Sequence, residues 1–145
     1  MSLERFIEAQ SRDYAKALSE LRNGEKVSHW IWYVLPQGLF PKASHMSEKF
    51  AIEDDAEAVA YLRHSILGSR YAECIDVIHT QIIKHGIAPQ TLMGSDVDAK
   101  KLHSSLTLML RVIESDPMKE AANDCPWLAK LHLQAEALIP WLPKF

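Results

Sequence analysis

The side chains best suited to chemistry in this 145-residue chain border its most apolar stretch, Ser28-His29-Trp30-Ile31-Trp32-Tyr33-Val34-Leu35-Pro36-Gln37. An imidazole titrates near neutral pH, so His29 is the residue here that fits general acid or base work. Trp32 offers an aromatic wall, and the Gln37 amide offers a donor and an acceptor. Together they would suit a planar, polar-edged ligand. The structural alternative is packing. A buried tryptophan removes about 150–250 Å² from water, an upper bound of roughly 4–6 kcal/mol, so Trp30 reads as core and Trp32 as core or pocket wall.

Two further groups carry polar chemistry. Lys101, Ser104, Ser105 and Leu108 fall on adjacent faces of a helix, where a lysine and two hydroxyls can hold phosphate or carboxylate. Gly-rich phosphate-loop spacing is absent, and either serine can instead bond back to a helix carbonyl. A nucleophilic role for Ser104 or Ser105 would need a base such as His29, His64 or His103, and no nucleophile-elbow motif accompanies them. His64 and Arg70 flank a junction between two helices, where Arg70 and free backbone N–H groups can receive an anion. There the alternatives are a helix cap and a surface arginine. Ser44 and Lys49 complete the set, Ser44 also being a helix cap. The seven histidines show no HExxH and no H-x-E with paired cysteines, so no metal and no cofactor is expected.

The elements that must position these groups read as helices. Leu3, Phe6, Ile7, Tyr14, Ala17, Leu18 and Leu21 form one helical stripe interrupted only by Gln10. Ser2 is its expected cap, Asn23-Gly24 its stop, and Glu8/Arg12 and Lys16/Glu20 its solvent-facing pairs. The aromatic run fits two backbones. About two turns of helix ending before Pro36 would group His29 with Trp32 and Tyr33, while a short buried strand would group it with Ile31, Tyr33 and Leu35. Gly38 to Ala43 reads as a loop, and Ser44 caps a short helix through Phe50 and Ile52. Asp54 with Glu57 reads as a capping box. Leu67-Gly68 is expected to stop that helix and Ser69 to cap the next, with Tyr71, Cys74, Ile75, Ile78 and Ile82 inside. Pro89 opens a tight turn, and Ser95 or Asp96 a long helix bearing Leu102, Leu106, Met109, Leu110 and Ile113. Asp116-Pro117 and Cys125-Pro126 open the last two. The expected fold is all-α, a single compact domain over residues 1–145 with about six to eight helices.

Composition excludes several classes. With 48% hydrophobic and 24% charged residues the chain is globular rather than disordered. A net charge of −3 with no basic patch predicts no nucleic-acid partner. Two cysteines without CxxC, an amino terminus unlike a signal peptide and no long apolar run predict a reduced cytoplasmic location and no membrane span.

Several motifs in fixed order are familiar together. They are Arg5-Phe6 with Ala9-Gln10, Glu20-Leu-Arg-x-Gly-x-Lys26, His29-Trp-x-Trp with Pro36-Gln37, Glu57-Ala-x-Ala-Tyr-Leu-x-His64, Leu67-Gly-x-Arg70 with Glu73-Cys74, and Gly94-Ser-x-x-Asp98 with Lys101-Leu-x-Ser-Ser-Leu-Thr107. Over about residues 3–110 the chain resembles a bacterial family, the domain of unknown function numbered 1810. The resemblance implies a mainly helical fold, hence a helical aromatic run, and no established activity. Gly38-Leu-Phe-Pro-Lys departs from the family's Leu-x-Gly-Leu-Gly-type loop, and the helices from about Arg111 to Phe145 diverge. Some members carry the label calpastatin. That inhibitor is a disordered repeat protein, and this periodic, repeat-free sequence cannot act as one.

The functional expectation is a small anionic or nucleotide-like ligand in a cleft formed by His29–Gln37, Ser44–Lys49, His64–Arg70 and Ser104–Ser105. In an enzyme of this kind His29 would move the proton, Lys49 and Arg70 hold the anion and Trp32 stack. The alternative is a non-enzymatic interaction domain or homodimer, using the aromatic segment with Trp127, Trp141 and Phe145. The tail Ile139-Pro-Trp-Leu-Pro-Lys-Phe145 is too apolar to stay in water, so it folds back on the core or docks on a partner.

Overall fold

Apolar residues repeating every three or four positions bury one face of a helix against its neighbours, and the computed structural model, which describes residues 3–39, 44–121 and 123–145, is built this way throughout. Its helices are α1 (Glu4–Arg22), α2 (Ile31–Val34), α3 (His45–Phe50), α4 (Asp55–Arg63), α5 (Leu67–His79), α6 (Pro89–Leu92), α7 (Asp96–Ile113), α8 (Asp116–Lys119) and α9 (Leu128–Leu138). A π-helical turn, Thr80–Lys84, prolongs α5, and a 3₁₀ turn, Ile139–Trp141, prolongs α9. Among the described residues that makes nine α-helices, and the only strand-like pairing is a parallel bridge between Gly38 and Ile52. The fold is all-α. The count passes the expected six to eight because α2, α6 and α8 are single turns of four residues each.

α5 is central and packs against α1, α4 and α9, while α7 packs against α4, α6 and α9. Phe6, Leu21, Trp30, Tyr61, Tyr71, Cys74, Ile75, Ile78, Leu102, Leu106 and Met109 meet in one core. The interior stripes expected for α1, α5 and α7 are found there. Burial pushes the Cys74 thiol up to about 12, which makes it a packing residue at neutral pH. Gln10, the polar break in the first stripe, is buried and donates to the Tyr33 carbonyl at 2.7 Å and the Tyr61 hydroxyl at 2.9 Å, so it ties α1 to α2 and α4.

The helix ends follow their local chemistry at most points. Gly24 takes φ +88 after α1, Ser44 accepts from Ser47 N, Asp54 from Glu57 N and Ser95 from Asp98 N. The cap expected at Ser2 lies outside the described residues, as do Phe40 to Ala43 of the expected loop. The Glu57 carboxylate accepts from Glu53 N at 3.0 Å and forms a two-pronged ion pair with Arg5 at 2.9 and 3.0 Å. Arg5 also donates to the carbonyls of Lys49 and Ala51, so one guanidinium joins α1, the end of α3 and the start of α4. Gln81 donates to the carbonyls of Leu21 and Arg22, closing the end of α1.

The junction of α4 and α5 differs from its expected form. Gly68 is not a stop and Ser69 not a cap: α4 ends at Arg63, and both residues lie inside α5. His64 does the capping, its Nδ1 accepting from Ile66 N at 3.1 Å and Leu67 N at 3.3 Å, which requires that nitrogen to carry no proton. Gly68 is small for another reason. A Cβ there would sit 2.1 Å from the Leu62 carbonyl oxygen and 2.7 Å from Trp127 Nε1, and that indole donates to the same oxygen at 2.9 Å. The tail folds back in part: Leu142 is buried, whereas Trp141 and Phe145 are 63% and 66% exposed.

Gly68→Ala is therefore expected to destabilise the protein by about 2–4 kcal/mol, against the roughly 1 kcal/mol that alanine gains over glycine in a helix. Urea denaturation at 25 °C measures this, and a stability at or above wild type would show that the Leu62 backbone can move aside.

Candidate functional site

The aromatic segment is placed by a buried carboxylate. Glu20 lies on α1 at the edge of the core, where its Oε1 accepts from Val27 N at 2.8 Å, Ser28 N at 2.9 Å and Trp30 Nε1 at 2.9 Å. The solvent-facing pair expected of Glu20 with Lys16 is thus corrected, because three convergent N–H donors outcompete one mobile lysine. Beside it runs a second buried charge, Lys26, whose Nζ donates to the Ser28 carbonyl at 2.7 Å and lies 2.8 Å from Asp98 Oδ2. Lys26 also stands 5.1 Å from the centre of the Trp30 ring. These bonds hold Val27 to Trp30 in loop form, and Pro36 keeps Leu35 out of the helical region, leaving one turn of helix rather than two.

From there the chain runs along α7. Lys101 Nζ sits 5.3 Å from the centre of the Trp32 ring and 3.5 Å from Asp98 Oδ1. One turn on, the Ser105 hydroxyl donates to the Pro36 carbonyl at 2.7 Å, so the Tyr71 hydroxyl 2.8 Å away must donate to Ser105. Gln37 is buried, its carbonyl accepts from Ile52 N at 2.9 Å, and its side-chain oxygen has no partner among the described residues. Trp32 Nε1 is likewise enclosed without a partner among them, though its ring is half-buried.

The expected site residues therefore divide. Trp32, Gln37, Lys101, Ser104 and Ser105 lie along one seam between the aromatic segment and α7. Ser105 is wholly buried, with its hydroxyl engaged twice. The other five have separate surroundings, and no hydrogen bond, ion pair or ring contact among the described residues joins them to Trp32 or Lys101. His29 is exposed on the loop before α2. Ser44 caps α3, and Lys49 lies 5.3 Å from the Phe50 ring centre. His64 caps α5, while Arg70 stacks 4.7 Å from the Tyr14 ring centre.

The seam opens into a trough of about 460 Å³ lined by Gly38, Leu39, Leu108, Phe145 and the polar side chains of His103, Ser104, Thr107, Arg111 and Lys144. Its floor is α7. One wall continues the aromatic segment and the other is the tail. Partial burial, aided by the charge of Lys144, lowers the pKa of His103 and so favours its uncharged ring. Arg111 is held 2.6 Å from Asp55, and Thr107 donates to the His103 carbonyl at 2.8 Å. No acidic side chain lines the trough among the described residues. Its size is that of a small-molecule pocket. Sequence reasoning found Ser104, named His103 only as a possible base for it, and missed Thr107, Arg111 and Lys144. The helical spacing of residues 103, 107 and 111 was a usable signal, whereas nothing local signalled that Lys144 returns to the same face.

Comparison with known proteins bears on the family and the fold. The model of a family described as "Protein of unknown function (DUF1810)" matches residues 1–125. The chain belongs to this family. No curated protein matches it. Among solved structures, the crystal structure of the conserved hypothetical protein Rv1873 from Mycobacterium tuberculosis is similar, with 32% identity and a TM-score of 0.71 over 92% of this chain and 88% of that one. Among the described residues, no helix of this DUF1810 protein is long and apolar enough to cross a membrane.

Glu20 supplies a pH test. Burial alone would raise its carboxyl, but hydrogen bonds from Ser28, Val27 and Trp30 hold it at about 2, against 4.5 for an ordinary glutamate. A depressed folded value contributes stability above the unfolded pKa and loses it as pH falls from about 4.5 towards 2. At most about 3 kcal/mol is at stake. Glu20→Gln is expected to be less stable at pH 7 and to converge on wild type near pH 2. Urea titrations across that range measure the gap, and parallel profiles would overturn the assignment.

Proposed function

We propose that the trough between Gly38–Leu39 and Lys144–Phe145 binds a small anionic ligand with an apolar or planar body, a class that includes nucleotides. One observation carries the reading. In a chain of net charge −3, this surface gathers the cations Arg111 and Lys144 and the Ser104 hydroxyl with no acidic side chain among the described lining residues. Local potential decides what a concave site attracts, so the overall negative charge does not oppose an anion here. Leu39, Leu108 and Phe145 supply the apolar walls, and the Ser104 hydroxyl stands where it can donate to an anionic oxygen, the Thr107 proton being given to the His103 carbonyl. Arg111 shares its charge with Asp55, so Lys144 is the principal cation.

The reading is one of binding. His29 does not line the trough, so the proton-transfer role expected for it forms no part of the proposal.

Isothermal titration of the full chain at low salt with adenosine monophosphate, inorganic phosphate and benzoate tests it. At least one should bind with an affinity that falls as salt rises. Lys144→Ala should weaken that binding about five- to tenfold, equivalent to about 1–1.4 kcal/mol, and His29→Ala should leave it unchanged. No binding at millimolar ligand, or binding insensitive to Lys144→Ala, would sink the proposal.

A further inference from the structure

The outward face of α9 carries a group of donors that the trough does not use. His132 and Glu136 are four residues apart, which puts them one above the other on a helix. Glu114, at the end of α7, reaches the same point. His132 Nε2 lies 3.0 Å from Glu114 Oε2 and 3.6 Å from Glu136 Oε1, and one donor atom from each of the three falls within 4.8 Å of the other two. The group is preassembled by the fold. Glu114 N donates to the Leu110 carbonyl at 3.1 Å as α7 closes, and α7 packs directly on α9.

We propose that Glu114, His132 and Glu136 form a binding site for a divalent cation of the zinc class, with the metal joining α9 to the end of α7. Three arguments carry this. Two carboxylates held so near a common point repel one another, and a divalent ion placed between them supplies two units of opposing charge. The donor set of one imidazole nitrogen and two carboxylate oxygens, with no thiolate, suits zinc, cobalt or nickel better than calcium or magnesium, which prefer oxygen alone. Spacing agrees too: bonds of about 2.0–2.2 Å in tetrahedral array put donors about 3.3–3.6 Å apart, and the two His132 separations, 3.0 and 3.6 Å, lie close to that range.

The three side chains are partly or largely exposed, so small rotations can complete the geometry. They leave a fourth position. His132 also lines a cavity of about 200 Å³ with Ile113, Met118 and Cys125, so a water or an incoming ligand has room to fill it. No metal-ligand spacing shows in the sequence because the third donor comes from Glu114, at the end of α7, and only the α7–α9 contact brings it in. The site is separate from the trough, and neither proposal depends on the other.

Equilibrium dialysis of the full chain against zinc chloride at pH 7.5, paired with cobalt absorption and thermal unfolding, tests it. One equivalent of zinc is expected, with a Tm that rises with zinc and not with magnesium, and with cobalt bands of low-coordinate intensity. His132→Ala should weaken zinc binding at least about tenfold, and Glu114→Gln, in a different helix, should do likewise. Both positions are partly exposed, so both variants should fold, and their circular dichroism melts without metal check this. No zinc bound at about 100 µM, or an equivalent of zinc retained in both folded variants, overturns the proposal.

Discussion

The placement of the aromatic segment depends on one carboxylate surrounded by N–H groups. A buried glutamate is costly unless its oxygens are satisfied, and Glu20 is satisfied by the loop that follows its own helix. The chain must therefore turn back at Gly24, cross the end of α1 and bring Val27, Ser28 and the Trp30 indole to one oxygen. Trp30 enters the core as a consequence. Trp32, two residues on, is left at the boundary, against α7. Beside Glu20 the buried Lys26 is paired with the partly buried Asp98, which comes from a helix far along the sequence. Such pairs add little net stability, but each partner is costly without the other, so they select one arrangement of α1, α2 and α7 over its competitors.

Much of the helical framework was readable because apolar spacing is a local property. The stripes of α1, α5 and α7 and the caps at Ser44, Asp54 and Ser95 needed only neighbours in sequence. Glycine and glutamate misled where tertiary contact decided. Gly68 follows a helix, just as a stop would, yet its smallness serves the approach of the Leu62 carbonyl and Trp127. Glu20 sits four residues from a lysine, as a surface pair would, yet burial and three donors claim it. The aromatic run gave no periodic answer because it is enclosed on most sides, and its single helical turn is set by Glu20 before it and Pro36 after it.

The candidate site was legible in halves. The seam of Trp32, Gln37, Lys101, Ser104 and Ser105 was recognisable as polar groups beside obligatory aromatic burial. Ser105 then proved to be architecture, since Tyr71 and Pro36 occupy it fully. The cationic face of the trough was not legible, because Lys144 and Phe145 reach it from the far end of the chain. Sequence order carries no trace of that return until α9 is packed against α7.

The Leu62 carbonyl has a consequence in time as well as in space. It ends up beneath Gly68 and accepts the Trp127 indole N–H. On a ribosome, residues 62 and 68 emerge long before residue 127, so the elbow between α4 and α5 is made without the donor that later covers it. That oxygen must rely on water until the start of α9 arrives. A nascent chain halted before Trp127 would therefore leave the Leu62 carbonyl to water, and α5 would lack the packing that α9 gives it.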